Sequence, residues 1–119
     1  MGAGGQAMKA VSKFSYMTID GIGYFEPEEA MTYDEALQWA KIRGLRLLTR
    51  GEWCDLWDHK EEFRKSCRNA VYWTASVCAN NGLYVWFFNG FNGDLESTGR
   101  YGSYVVRAVQ EDAEANYGY

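Results

Sequence analysis

Three kinds of side chain in this sequence could carry reaction chemistry, and each falls short of a working set. Cys54, Cys67 and Cys78 could act as nucleophiles, but their spacing matches no zinc site. An odd number of thiols leaves at least one unpaired, and reduced, buried cysteines are expected. His59 is the only histidine and lies in the charged run Asp58-His59-Lys60-Glu61-Glu62, where a solvated ring is expected rather than a general base. Asn92, Asp94 and Glu96 put oxygen donors at alternate positions, short of the six to eight that calcium takes, and Asn92-Gly93 reads as a polar turn. Glu26, Glu28 and Glu29 surround Pro27 and read as an exposed acidic connection. No nucleophile elbow, phosphate loop or histidine cluster is present. The expectation is therefore no catalytic residue, no metal site and no cofactor.

Noncovalent recognition suits the residues better. From Val77 to Leu95 the chain is crowded with Tyr, Trp, Phe, Asn and Gly. Good strand formers interleaved with poor ones suggest short strands and loops that meet solvent or a partner. Tyr and Phe supply rigid contact area at low entropic cost, and Asn supplies adaptable hydrogen bonding. In a strand from Val85 to Phe91, alternation puts Phe87, Asn89 and Phe91 on one face and Trp86, Phe88 and Gly90 on the other.

Such a surface needs a frame. Phe14 to Phe25 contains Asp20-Gly21 between apolar runs, which predicts a hairpin of two strands. Thr32-Tyr33-Asp34-Glu35 is a capping box before Ala36, Leu37 and Ala40 at helical spacing, with Gly44 placed for a left-handed C-cap. A second capping box, Thr49-Arg50-Gly51-Glu52, opens a helix with Trp53, Leu56 and Trp57 on one face and, less regularly, Phe63. Leu45 to Leu48 reads as a buried link between the helices. Tyr72-Trp73-Thr74-Ala75-Ser76 and Tyr104 to Val109 read as strands, and Arg107 is expected to serve the frame, for example by binding a helix carboxylate, rather than merely to be solvated. The pattern is α+β.

Composition sets the bounds. A chain of 119 residues is one domain with room for an ordinary core. Its aromatic fraction of 17% is about twice that of an average globular chain, enough for both a core and a surface. A net charge of −4 with dispersed Lys and Arg argues against nucleic-acid binding. No apolar run is long enough to cross a bilayer, and Met1 to Gln6 lacks the hydrophobic part of a signal peptide. Residues 1–12 read as a flexible start, 13–110 as the domain and 111–119 as an acidic tail.

Several of these motifs, in order, resemble one family. Thr32 to Ala36 followed by Arg46-Leu47-Leu48-Thr49-Arg50-Gly51-Glu52-Trp53 resembles the helix–RLPT–helix signature of the formylglycine-generating-enzyme subclass of the C-type-lectin fold, with Leu48 in place of Pro. Tyr72 to Ser76, Val85 to Leu95 and Tyr104 to Val109 are similar to that family's later strands. The resemblance implies a C-type-lectin-like fold: two helices packed on a small, mainly antiparallel sheet, with N- and C-terminal strands adjacent. The cysteine pair and the motifs on which the enzymes of the family depend are missing, so the enzyme is the weaker alternative.

Within the family, small chains rich in Asn, Tyr and Gly look like variable proteins of diversity-generating retroelements. That resemblance implies adenine-directed rewriting of chosen codons on a fixed backbone, and display on a virion or cell surface toward a protein or cell-surface ligand. Transferred position by position, the changing residues are Cys78, Asn80, Asn81, Tyr84, Phe87, Asn89, Phe91, Asn92, Asp94, Tyr101, Gly102 and Ser103, within a display region of about 77–103. Tyr84, Phe87, Phe91 and Tyr101 are the expected anchors of affinity. Oligomeric state is left open. The alternative is a fixed-specificity adhesion or accessory domain of the same fold.

Overall fold

The computed structural model describes residues 13–79 and 82–111. Residues 1–12, expected from the sequence as a flexible start, tail residues 112–119, and Asn80 and Asn81 lie outside the described residues.

Local sequence explains the first elements. Strands β1 (Phe14–Ile19) and β2 (Ile22–Pro27) form the expected hairpin. Asp20 and Gly21 both have positive φ, at 55° and 81°, the conformation a two-residue type I′ turn requires. Helix α1 (Tyr33–Lys41) begins at a complete capping box, with the Thr32 hydroxyl accepting from the Glu35 amide and the Glu35 carboxylate accepting from the Thr32 amide. Gly44 turns the chain at φ 70° into β3 (Leu45–Leu47). Helix α2 (Arg50–His59) begins at the second capping box, on Thr49 and Glu52.

Several longer-range expectations are corrected. The second helix stops at Lys60, whose extended backbone breaks it, and Phe63 belongs to a separate short helix, α3 (Glu61–Ser66). The residues from Leu45 to Leu47 are a strand, because β3 gains a hydrogen-bonding partner in β7 (Ala108–Gln110). The expected strand from Tyr104 to Val109 is regular only from Ala108; Tyr104 and Val105 make single bridges to Met31 and Tyr72.

There are two antiparallel sheets rather than one. The first has the order β1-β2-β7-β3, so the C-terminal strand lies beside the N-terminal hairpin. The second has the order β4-β5-β6, built from β4 (Val71–Val77), β5 (Tyr84–Asn89) and β6 (Leu95–Gly99). The two are stitched by backbone bonds from Trp73 N–H to the Val105 carbonyl and from Ala75 N–H to the Leu48 carbonyl.

Neighbouring strand residues serve two different cores. Trp73, Val85 and Ala108 pack with Tyr33, Ala36 and Trp39 of α1. Tyr72, Phe88 and Val109 pack with Trp53 and Leu56 of α2 and Phe63 of α3. Trp53 is the centre of the second core: it stacks on Phe88 with ring centroids 4.7 Å apart and meets Tyr72 and Phe63 at 4.8 and 5.4 Å. Burying rings of this size contributes on the order of 2–3 kcal/mol each. No helix among the described residues is long and apolar enough to cross a membrane.

Candidate recognition surface

Strand β5 sorts its residues by burial. Val85 and Phe88 are fully buried, Trp86, Phe87 and Asn89 are half-buried, and Tyr84 is 45% exposed. The strand ends at Asn89, so Gly90 and Phe91, expected within it, lie in the turn that follows. Gly90 is required there because a Cβ would run into the Arg68 and Ala70 carbonyls, the latter accepting the Gly90 N–H at 2.7 Å. Phe91 points outward, 65% exposed. Phe87 leans against Tyr104 with centroids 5.9 Å apart, and Trp86 carries the Arg50 guanidinium 4.7 Å above its ring.

The expected positions fall at two ends of the second sheet. Gly99, at the end of β6, pairs with Tyr84, and the Cys78 N–H donates to the Tyr84 carbonyl. Cys78, Tyr84, Tyr101, Gly102 and Ser103 therefore lie toward one end, where Val77, Leu83, Tyr84 and Tyr101 form exposed apolar surface. Tyr101 is 81% exposed. Asn89, Phe91, Asn92 and Asp94 lie toward the other end, in the turn closed by the Gly93 N–H on the Asn89 carbonyl and the Asp94 N–H on the Asn92 side chain. The six-residue strand β5 separates the two groups by roughly 17 Å at about 3.3 Å per residue. Phe87 stands between them. Asn80 and Asn81 lie outside the described residues.

Val77, Leu83 and Arg100 were missed by sequence reasoning. Val77 and Leu83 flank named positions and differ from them only in being aliphatic. Arg100 braces the first end: it donates to the Gly82 carbonyl at 2.9 Å, meets Asp34 at 3.3 Å and sits 5.2 Å over the Tyr33 ring. Burial raises the Tyr33 phenol pKa above 10.0, with Arg100 opposing the shift. A groove of about 630 Å³ beside this end is lined by Arg50, Ala75, Ser76, Val77, Cys78, Ala79 and Trp86.

Beneath the surface the frame is tied by charge. Glu26, expected in an exposed acidic connection, is 7% exposed at the end of β2; Glu28 and Glu29 are exposed as expected. Its Oε1 accepts from Arg107 Nε at 2.9 Å, its Oε2 from Arg68 Nε at 2.6 Å, and both oxygens lie 3.2 Å from the Tyr72 hydroxyl. Arg107 also donates to the Ser66 hydroxyl and carbonyl. The acidic look of Glu26-Pro27-Glu28-Glu29 hid this role because both guanidinium partners come from distant parts of the chain. Burial, with the Glu26 charge adding to it, pushes the Tyr72 phenol up to about 12, and burial pushes the Cys67 thiol up to about 11. All three cysteines are free and half-buried rather than buried.

The Arg-Leu-Leu-Thr-Arg-Gly-Glu-Trp run has a local reason as well. Arg46 grips both Glu52 oxygens at 2.9 Å, while the same carboxylate caps α2 through the Thr49 amide. Strand β3 and α2 are thus held at a fixed angle. Among the described residues, no group of three or more His, Cys, Asp and Glu is placed to hold a metal. His59 is exposed and faces Asp55. A scan of protein-family models finds none that matches the chain, and a search of curated proteins finds no matching relative.

Proposed function

We propose that this chain is a ligand-binding display protein of C-type-lectin-like fold, whose recognition surface is diversified by a retroelement toward a protein or cell-surface ligand. One observation carries the reading. All ten described positions named for variation are exposed or half-buried, while Val85, Phe88 and Gly90, interleaved with them, are buried. A set of positions that can change without disturbing a core is what diversification needs, since exposed substitutions usually stay within about 0.5 kcal/mol.

Binding is noncovalent. Tyr84 and Tyr101 with Val77 and Leu83 provide a rigid apolar centre, which favours a partner presenting apolar side chains. Phe91 at the far turn is a second, separate contact. The protein supplies no reaction step: its residues hold shape, and affinity comes from the rings.

Sequencing the encoding locus from many isolates tests the proposal. The expected result is a near-identical template copy of the region, beside a reverse transcriptase gene, differing only at adenines in codons for the exposed positions. If isolates agree throughout 77–103 and no template exists, diversification is wrong, and the chain is a fixed-specificity adhesion domain to be matched to its partner by pull-down.

A further inference from the structure

Strand β1 is the outer strand of the first sheet and, among the described residues, pairs only with β2. The two-residue turn makes Ile19 and Ile22 a hydrogen-bonded pair, and the alternation of an antiparallel ladder extends this to Met17 with Tyr24 and Ser15 with Glu26. The Glu28 N–H bond to the Lys13 carbonyl continues the same alternation. It follows that the N–H and C=O groups of Phe14, Tyr16 and Thr18 point away from β2. Their side chains share one face, on which Phe14 is 47% and Tyr16 58% exposed. From Phe14 to Ile19 there is no charge and no proline, the devices by which outer strands are usually protected.

We propose that this outer edge pairs with the same edge of a second copy, antiparallel about a two-fold axis at Tyr16. A two-fold axis perpendicular to a sheet requires one residue to sit opposite itself, so that partners point to the same side. With Tyr16 at the axis, Phe14 faces Thr18 of the other copy and Thr18 its Phe14. Every outward backbone group of the three residues is then used, each pair exchanging two N–H···O bonds. The two Tyr16 rings lie side by side, flanked by Phe14. Charge favours the same direction: Lys13 precedes the strand and Asp20, which also meets Lys60 of its own chain at 2.6 Å, follows it, so antiparallel copies bring unlike charges together at both ends. Parallel pairing would oppose Lys13 to Lys13 and Asp20 to Asp20. A self-complementary strip of this kind closes on itself as a dimer, in which both β1 edges are used.

Sedimentation equilibrium of the full chain, with backbone amide hydrogen exchange, tests the proposal. The expected result is a reversible dimer in which the Phe14, Tyr16 and Thr18 amides are protected at high concentration and lose protection on dilution. Tyr16→Lys, which places two like charges at the axis, and Thr18→Pro, which removes an outward donor without breaking the β1–β2 ladder, are each expected to weaken dimerisation at least about tenfold. Circular dichroism should show both variants folded. A wild-type chain that stays monomeric, or a dimer whose Phe14, Tyr16 and Thr18 amides exchange freely, overturns the proposal. So does a dimer unaffected by Tyr16→Lys.

Discussion

Glu26 shows what one residue can hold. With its side chain 8% exposed between Arg107 and Arg68, it is the counter-charge for a guanidinium that is itself 4% exposed. Replacing it by Gln keeps the shape but leaves Arg107 without a neutralising partner, so a loss of about 3–5 kcal/mol is expected in urea unfolding. Tyr72 and Cys67 beside it set the alkaline limit. Their folded pKa values of about 12 and about 11 lie above the ordinary 10.0 and 9.0, so above the ordinary values the unfolded chain releases protons that the folded chain retains. The stability these two groups contribute is therefore full below pH 9 and falls as pH rises, through 9 to 11 for Cys67 and 10 to 12 for Tyr72. Unfolding curves across that range should show the fall. Tyr72→Phe should flatten the upper part while costing about 1–3 kcal/mol at neutral pH, because its hydroxyl also accepts the Arg68 N–H. On the proposed display surface the sign of importance reverses: Tyr101→Ala should change stability by no more than about 0.5 kcal/mol, and a larger loss would mean that the ring packs rather than binds.

At the level of elements, two capping boxes do unequal work. The Thr32 box only starts α1, and Thr32→Ala should cost about 1 kcal/mol. Glu52 caps α2 and also takes both bonds from Arg46, so Glu52→Ala should cost clearly more than Thr32→Ala in the same denaturation assay. The β5–β6 turn has fixed points among its exposed residues. Gly93 has φ 82° and faces the Trp57 indole, and Gly90 faces carbonyl oxygens, so neither tolerates a side chain. In a library randomised from Asn89 to Asp94 and sorted for folded display, Gly is expected to be recovered at both positions while the exposed Phe91 drifts freely. Recovery of bulky residues at Gly90 would show that the turn can be rebuilt.

Across the whole molecule, what was legible in the sequence was what is decided within a few residues. The Asp20-Gly21 turn and both capping boxes depend on local hydrogen bonds and φ angles, and they stand where the sequence put them; Gly44 has the expected left-handed φ of 70°, but α1 is capped two residues earlier, at Ile42. Pairing between distant segments was not legible: β3 looked like a buried link because its partner β7 lies about 60 residues later, and Glu26 looked solvated because Arg107 lies 81 residues away. The division of the named positions into two ends was also hidden, since it depends on where β5 stops. That Tyr84, Phe91 and Tyr101 face outward was readable from their company of Asn and Gly; that Phe87 sits half-covered by Tyr104 was not.

The bond between Glu26 and Arg107 has a consequence for how the chain is made. A ribosome delivers the glutamate early and the arginine late, with residues 77–103 in between. The native frame cannot close until that last partner emerges, and contacts so far apart in sequence close slowly. Any product cut short between residues 77 and 103 leaves Glu26 with Arg68 but without Arg107, and lacks β7, the strand that joins β2 to β3 in the first sheet. The late-arriving arginine thus ties a stable shape to completeness, because only a chain translated through Arg107 can close the frame.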